Sequence, residues 1–245
     1  MSILGTRVLR TEDPGFLTTG GVYTDDVVDE RLAGAGHVFF VRSPIAHARI
    51  VSVDVSAALE APGVIAAFTG DDLADLPPLA PPMPDQVDGR MAQPLLARDV
   101  VRYVGEPVAV VVTEDPYQGE DAAELVDADY EPLPAVVDPA DAADGSRGLL
   151  FPGVGTNVTA TFGDAAALRP DLFDGCEVVV SRTIVNQRVA PAPMETRAAA
   201  AAWGEDGRLT AWIPNQGAQD TRGALAAMLA IDPSSLRVLT PDVGG

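Results

Sequence analysis

Residues 107–113, PVAVVVT, constrain the fold more than any other stretch of the chain. The run is continuous, apolar and of strand length. Asp115-Pro116 follows as a helix start, with Asp in the capping place and Pro at the first helical position. Residues 116–126 then set Ala122, Ala123 and Val126 on one helical face. Residues 126–130 and 135–137 read as short returning strands. This strand–helix–strand order allows a parallel pair joined by a right-handed crossover.

The rest of the chain fits around that unit. The first thirty residues are turn-rich and read as an extended lead-in. Residues 36–42 and 64–68 are strand-like, and 49–55 (RIVSVDV) alternate with the period of a half-buried strand. Ser56 reads as the cap of a short helix through Glu60 that ends at Pro62-Gly63. Residues 77–94 carry Pro77, Pro78, Pro81, Pro82, Pro84 and Pro94, which rules out a central strand or a helix and leaves a long loop. Residues 139–157, rich in Asp, Ala, Gly and Pro, read as a linker. Beyond it, 177–185 (EVVVSRTIV) is a strong strand candidate. Residues 198–203 and 208–213 flank a turn at 204–207, Asn215 is placed to cap a helix through Ala230, and 236–239 form a last strand. The two glycines that follow, Gly244 and Gly245, read as half of a loop whose backbone meets a ligand.

Composition narrows the function classes. With 36 acidic residues against 16 basic ones, all arginine, the net charge is −20. That disfavours phosphate backbones and anionic membranes alike, since both are bound by clustered cations; neither nucleic acid nor membrane insertion is expected. Cys176 is the single cysteine and reads as an inert small hydrophobe. His37 and His47 are the only histidines and stand ten apart. No metal site ligated directly by the protein is expected from such a set. The start MSILGTRVLR has no long apolar run of the secretory kind, so the expected setting is the cytoplasm.

Several stretches, in order, resemble one family. Arg10-Thr11-Glu12-Asp13-Pro14, with Gly20, Gly21, Tyr23, Asp25 and Asp26, resembles the start of aerobic carbon-monoxide-dehydrogenase-like large subunits. Val41-Arg42-Ser43-Pro44 with Ala46-His47-Ala48-Arg49-Ile50, then Pro94-Leu95-Leu96-Ala97, 101–109 (VRYVGEPVA) and 129–136 (DYEPLPAV), are similar to the a/b hammerhead domain of the xanthine dehydrogenase and aldehyde oxidase superfamily. Asn186-Gln187-Arg188, 190–195 (APAPME), Asn215-Gln216-Gly217 and 241–245 (PDVGG) resemble the opening of its molybdopterin-binding domain.

The resemblance implies an α+β fold, with the hammerhead domain followed by the first part of a molybdopterin-binding domain. The expected boundaries are a lead-in over 1–14, the hammerhead over 15–140, a linker over 141–157 and the incomplete second domain over 158–245. It implies a cofactor of molybdenum–molybdopterin cytosine dinucleotide, with the metal held by the cofactor's own sulfurs. The reaction implied is hydroxylation of an N-heterocycle or aldehyde with oxygen from water, or oxidation of carbon monoxide. The implied partners are the remainder of the large subunit, an iron–sulfur small subunit carrying 2Fe-2S, an FAD medium subunit and a small-molecule substrate.

Residue by residue, Gln216 matches the glutamine that donates a hydrogen bond beside the metal. Relatives often carry a Ser-Thr pair before it, where this chain reads Pro214-Asn215. Gly244 and Gly245 match the first glycines of a cofactor loop. Gln187 and Arg188 match the substrate side, and Glu195 is a candidate to pair with Arg188 or Arg197. Glu106 and Pro107 are expected to shape a strand start. The family's general-base glutamate lies outside this chain, so the isolated chain is expected to be inactive. The competing reading is a non-catalytic hammerhead scaffold or interaction module.

Overall fold

The structure is a computed structural model that describes residues 4, 5, 7–79, 81, 83, 85–163, 169, 171–187 and 189–245. It divides into two compact units: Met1–Ala35 with Pro191–Gly245, and Gly36–Ala190. Residues 15–35, placed by sequence at the front of the first domain, group with the C-terminal segment. The opening is less extended than its turn residues imply. Pro14 sits in the first turn of a short helix, α1 (Asp13–Thr18), and two 3-10 turns follow at Thr24–Asp26 and Glu30–Leu32.

The unit Gly36–Ala190 holds two three-stranded antiparallel sheets. Its strands are β1 (His37–Arg42), β2 (Ala48–Asp54), β3 (Val64–Thr69), β4 (Val100–Val101), β5 (Pro107–Thr113) and β6 (Asp127–Pro132). One sheet has the order β1-β5-β3, the other β4-β2-β6. β5 is the central strand of the first, so its backbone is paired on both edges. Its two faces are buried as well. Val108 packs with Ala48, Ala97 and Val101, while Val111, pointing the other way, packs with Ala58 and Ala122. Each fully buried valine contributes roughly 1.5–3 kcal/mol, which is why an uninterrupted apolar run stands there.

The parallel crossover is corrected. β5 pairs antiparallel with β1 and β3, and β6 pairs antiparallel with β2 in the other sheet. The helix between them, α3 (Gln118–Glu124), has only seven residues. At 1.5 Å per residue it is about half as long as the strand it would have to run back along. The helix starts two residues later than expected, with Tyr117 and not Asp115 at its cap: the Asp115 carboxylate accepts the Tyr117 N–H at 2.8 Å in a turn that leads into α3. Residues 135–137 are not a strand either. Pro132 and Pro134 lack the N–H groups a ladder needs.

Two further expectations change. The short helix α2 (Ser56–Leu59) begins at Ser56, and Asp54 does the capping work by accepting the Ser56 N–H at 2.8 Å. Residues 139–157 carry more structure than a plain linker. Asp138 accepts from Ala140 and Asp141 to cap α4 (Pro139–Asp144), which ends on Gly145 at φ 70°, a left-handed turn open to glycine. Asn157 then fastens the following loop, donating to Ala142 and Gly148 carbonyls and accepting the Leu150 N–H. The proline-rich stretch holds an isolated bridge, Leu79 to Gln93, and a 3-10 turn at Gly89–Met91; Pro82 and Pro84 lie outside the described residues.

Residues 177–185 do not form a strand. They have no backbone ladder among the described residues, and Val178 and Ile184 are 76% and 87% exposed. Cys176 beside them is exposed rather than buried.

The unit Met1–Ala35 with Pro191–Gly245 contains one mixed sheet of order β7-β8-β9, from β7 (Ala200–Trp203), β8 (Leu209–Trp212) and β9 (Leu236–Leu239). β7 and β8 are joined through the turn over 204–207, with Gly207 at φ 73°. β8 and β9 are parallel, linked by α5 (Ala218–Met228). The N-terminal segment is tied to β8 by Arg31. Its guanidinium lies 4.8 Å from the Trp212 ring, donates to Thr210 Oγ1 at 2.8 Å, and pairs with Asp29. The hydrogen bonds from the Arg31 side chain and backbone bring the Asp29 carboxyl down to about 2.

Candidate functional site

The parallel pair β8–β9 sets the geometry of the site. Parallel strands point their carboxyl ends to the same edge, where ligands of α/β sheets are bound. Two loops leave that edge: 213–217 after β8, and 240–245 after β9. The pairing continues into the loops, since Ile213 N–H donates to the Leu239 carbonyl at 3.0 Å. Asn215 then joins them. Its Nδ2 donates to Thr240 Oγ1 at 2.8 Å and to the Ile213 carbonyl at 2.9 Å, and its Oδ1 accepts the Gly217 N–H at 2.9 Å. Asn215 therefore fixes the residue ahead of α5 instead of sitting at the cap itself, which is Gly217.

Gln216 stands inside that clasp, exposed, and its carboxamide makes no hydrogen bond among the described residues. It comes just before α5, whose first N–H groups favour an acceptor or an anion. An amide offers a donor there without adding charge.

The second loop is held from two sides within the same unit. Gly244 N–H donates to Glu195 Oε2 at 2.5 Å, and Met194 N–H donates to the Gly245 carbonyl at 3.1 Å. Opposite them, Asp242 N–H donates to the Val22 carbonyl at 3.0 Å, and Val22 N–H returns a bond to Asp242 Oδ2 at 2.9 Å. The packing leaves no room for a side chain at Gly244 and only a tight fit at Gly21. A Cβ on Gly244 would lie 2.7 Å from Glu195 Cβ. One on Gly21 would lie 3.3 Å from Asp242 Oδ2 and from the Phe16 and Tyr23 rings.

Of the residues singled out by sequence, Gln216, Gly244 and Gly245 fall on these two adjoining loops. The Gly244 amide is committed to Glu195, while Gly245 is exposed and open, with nothing within 4 Å of an added Cβ. Gln187 is exposed in the other unit and has no side-chain partner among the described residues. Arg188 lies outside the described residues. Glu195 forms no ion pair with Arg197; its partner is a backbone amide. Glu106 does shape a strand start: 2% exposed, it accepts the Arg102 N–H at 2.5 Å at the entrance to β5. Burial pushes its carboxyl above the ordinary value, against the pull of that N–H and of the Arg102 charge.

Sequence reasoning missed the Asn215–Thr240 and Asp242–Val22 contacts. They join positions 25 and 220 apart, and only a parallel β8–β9 pair brings the first two together.

The edge fits a group met by an uncharged side-chain donor. Among the described residues no group of three or more His, Cys, Asp or Glu is gathered to hold an ion. What the edge provides is a free carboxamide and a helix start.

Two α+β units, one built on two antiparallel sheets and the other carrying a parallel edge with two loops, define the class, and the comparisons with known proteins give its family. Residues 18–134 match the a/b hammerhead domain of aldehyde oxidase and xanthine dehydrogenase, and 150–245 match the molybdopterin cofactor-binding domain. The chain belongs to the aldehyde oxidase and xanthine dehydrogenase family. It is 41% identical over its whole length to the nicotine 6-hydroxylase large subunit of Paenarthrobacter nicotinovorans, covering 30% of that protein. Over 98% of its length it is 33% identical to the carbon monoxide dehydrogenase large chain of Hydrogenophaga pseudoflava, covering 31% of it. The crystal structure of quinoline 2-oxidoreductase from Pseudomonas putida 86 superposes with a TM-score of 0.83 at 36% identity, covering all of this chain and 31% of that one. The chain thus spans about 30% of the length of the relatives it matches.

Proposed function

We propose that the chain is the N-terminal portion of a molybdenum hydroxylase large subunit and contributes to binding molybdopterin cytosine dinucleotide. The observation that carries this reading is the placement of Gln216 and the glycine loop 244–245 on neighbouring loops at the carboxyl edge of β8 and β9. When bound, the cofactor supplies the redox centre for hydroxylation with oxygen from water. The chain's own share is positional. Gln216 donates an uncharged N–H toward the metal's surroundings, and the loop at Gly245 lets backbone come close to the cofactor. The nicotine and quinoline in two relatives' names favour an N-heterocycle as substrate over an aldehyde or carbon monoxide. Gln187 and Arg188 belong to the substrate side in this reading. The remainder of the large subunit, with the general-base glutamate, an iron–sulfur small subunit and an FAD medium subunit complete the enzyme, in the cytoplasm. Among the described residues no helix is long and apolar enough to cross a membrane.

The test is metal and nucleotide analysis of two samples. The chain purified with the rest of its complex should carry molybdenum, and acid hydrolysis should release CMP in equal amount. The 245-residue chain by itself should hold no molybdenum and show no hydroxylase activity. Loss of the general base alone removes roughly 10²–10⁴-fold. A complex without molybdenum sinks the reading and leaves the scaffold role. AMP or GMP in place of CMP overturns the cytosine form, and stoichiometric molybdenum on the isolated chain shows that the site needs no more than these residues.

A further inference from the structure

Glu195 spends its side chain on the backbone of the glycine loop. Its Oε2 accepts the Gly244 N–H. Its Cβ occupies the space in which any side chain at 244 would stand. The residue before it, Met194, takes the next link by donating to the Gly245 carbonyl. On the far side the Asp242–Val22 pair of bonds holds the start of the loop. Residues 242–245 are therefore gripped at both ends, and at the glycine end the one side chain among the described residues that takes part is the Glu195 carboxylate, beside the Met194 backbone amide.

The other oxygen of that carboxylate is unusual. Glu195 Oε1 is buried and makes no hydrogen bond among the described residues. A buried acceptor without a donor is destabilising, so Glu195 is not placed there for the benefit of the fold alone. We infer that Glu195 is the positioning residue of the glycine loop, holding the Gly244 amide so that the backbone at Gly245 is presented to the cofactor. The inference rests on the proposed function for what the loop meets; the clasp itself stands on the contacts of this chain. Residues that orient a binding group without touching the ligand change affinity or activity by about 10–100-fold when removed.

Two variants separate a hydrogen bond from a charge. Glu195→Ala removes the acceptor. Glu195→Gln keeps an oxygen to accept from Gly244 and replaces the unpartnered oxygen with an amide nitrogen, which breaks no bond seen at that position. Hydrogen exchange of the segment 240–245 in the full chain is the first readout. Exchange in Glu195→Ala should speed up by up to about tenfold, the scale of one lost hydrogen bond, and exchange in Glu195→Gln should stay near wild type. Molybdenum retained by the assembled complex after exhaustive dialysis is the second. Glu195→Ala should retain about tenfold less, Glu195→Gln close to the normal amount, at unchanged yield of complex. If Glu195→Ala does not accumulate, Glu195→Asp, one carbon too short to reach, replaces it. Unchanged exchange in the Ala variant overturns the clasp. Equal losses in Ala and Gln overturn it too, because the charge is then what matters. Faster exchange with full molybdenum overturns the link to the cofactor. A wild-type complex without molybdenum removes the proposed function and the cofactor half of the inference, while the exchange arm still judges the clasp.

Discussion

Two valine-rich stretches of this chain have opposite fates. Residues 107–113, PVAVVVT, form the central strand β5, paired on both edges and buried on both faces. Residues 177–185, EVVVSRTIV, are as strong a strand candidate by composition, yet have no ladder among the described residues and hold their valines out to solvent. Intrinsic β-propensity is the same argument for both, so it cannot be what separates them. The difference is neighbours. β1 and β3 stand on either side of β5, and α2 and α3 cover one of its faces. A strand is a property of at least two segments, and only one of them is written in the run itself.

The sharpest way to break that comparison is to place the same charge in both stretches. Val111→Asp puts a carboxylate into the buried apolar cluster of Val111, Ala58 and Ala122. It should cost more than about 4 kcal/mol in urea unfolding or prevent folding outright. Val179→Asp should change the stability of the chain by less than about 0.5 kcal/mol. A large loss at Val179 would show that 177–185 is packed after all.

Next in size is a pair of helix glycines. Gly119 in α3 lies against Phe39 of β1, where an added Cβ would fall 1.8 Å from the ring. Gly119→Ala should destabilise by about 1–3 kcal/mol through overpacking. Gly223 in α5 has nothing within 4 Å of the same position. Gly223→Ala should stabilise by about 0.5–1 kcal/mol, because alanine is the better helix residue. The two melting curves should move in opposite directions; a common direction would mean that α3 yields to let Phe39 turn away.

The same contrast explains what was legible in the sequence. β1, β2, β3, β5, β8 and β9 were marked by apolar runs or alternation, and the turn at 204–207 by its glycines. The two-domain family order followed from motifs spread along the chain. Pairing was not legible. The run at 107–113 and the helix signal at Asp115-Pro116 suggested a parallel crossover, and only the shortness of α3 rules that out. In the candidate site, Gln216 and the glycine pair could be named from their motif. Glu195 was weighed for an ion pair because a carboxylate near arginines looks like one. Its true partner is a backbone N–H, which leaves no mark in any sequence.

A smaller, pH-dependent effect tests how completely the strand β5 is enclosed at its start. Burial raises the Glu106 carboxyl above its ordinary 4.5. An acid with a raised value in the folded state binds its proton more tightly there than in the unfolded chain. Its contribution to stability is therefore full below about 4.5 and is lost as pH rises through the folded value. Glu106→Gln has no proton to lose. Wild type should fall behind the Gln variant as pH climbs from 4 toward 8, by at most about 1.4 kcal/mol for each unit of the rise. Urea midpoints for both proteins across that range measure it. A gap that stays constant with pH would show that water reaches the carboxylate.

The smallest effect on the fold is expected at Gln216, and there the comparison turns into a question of function. Like the valines of 177–185, Gln216 is exposed, and its carboxamide makes no hydrogen bond among the described residues, so folding gives little reason for its identity. Gln216→Ala should shift the stability of the chain by less than about 0.5 kcal/mol. The residue on each side tells a different story. Asn215 bonds to Thr240 and Gly217, and Gly217 opens α5, so the backbone at 216 is fixed while its side chain is free. A fixed backbone carrying an unspent donor is the arrangement a binding group needs, since orientation is supplied before the ligand arrives. In the assembled enzyme of the proposed function, Gln216→Ala should lower kcat with molybdenum content near normal. Preorganised donors facing developing charge are worth on the order of 3–4 kcal/mol at best, and one donor among several should give less. Asn215→Ala makes the contrast complete: it loosens the loop, so it should lower stability as well as kcat. Steady-state kinetics with metal analysis on both variants decide the matter. Unchanged kcat in Gln216→Ala at full metal occupancy would leave Gln216 as idle surface, no different in kind from Val178.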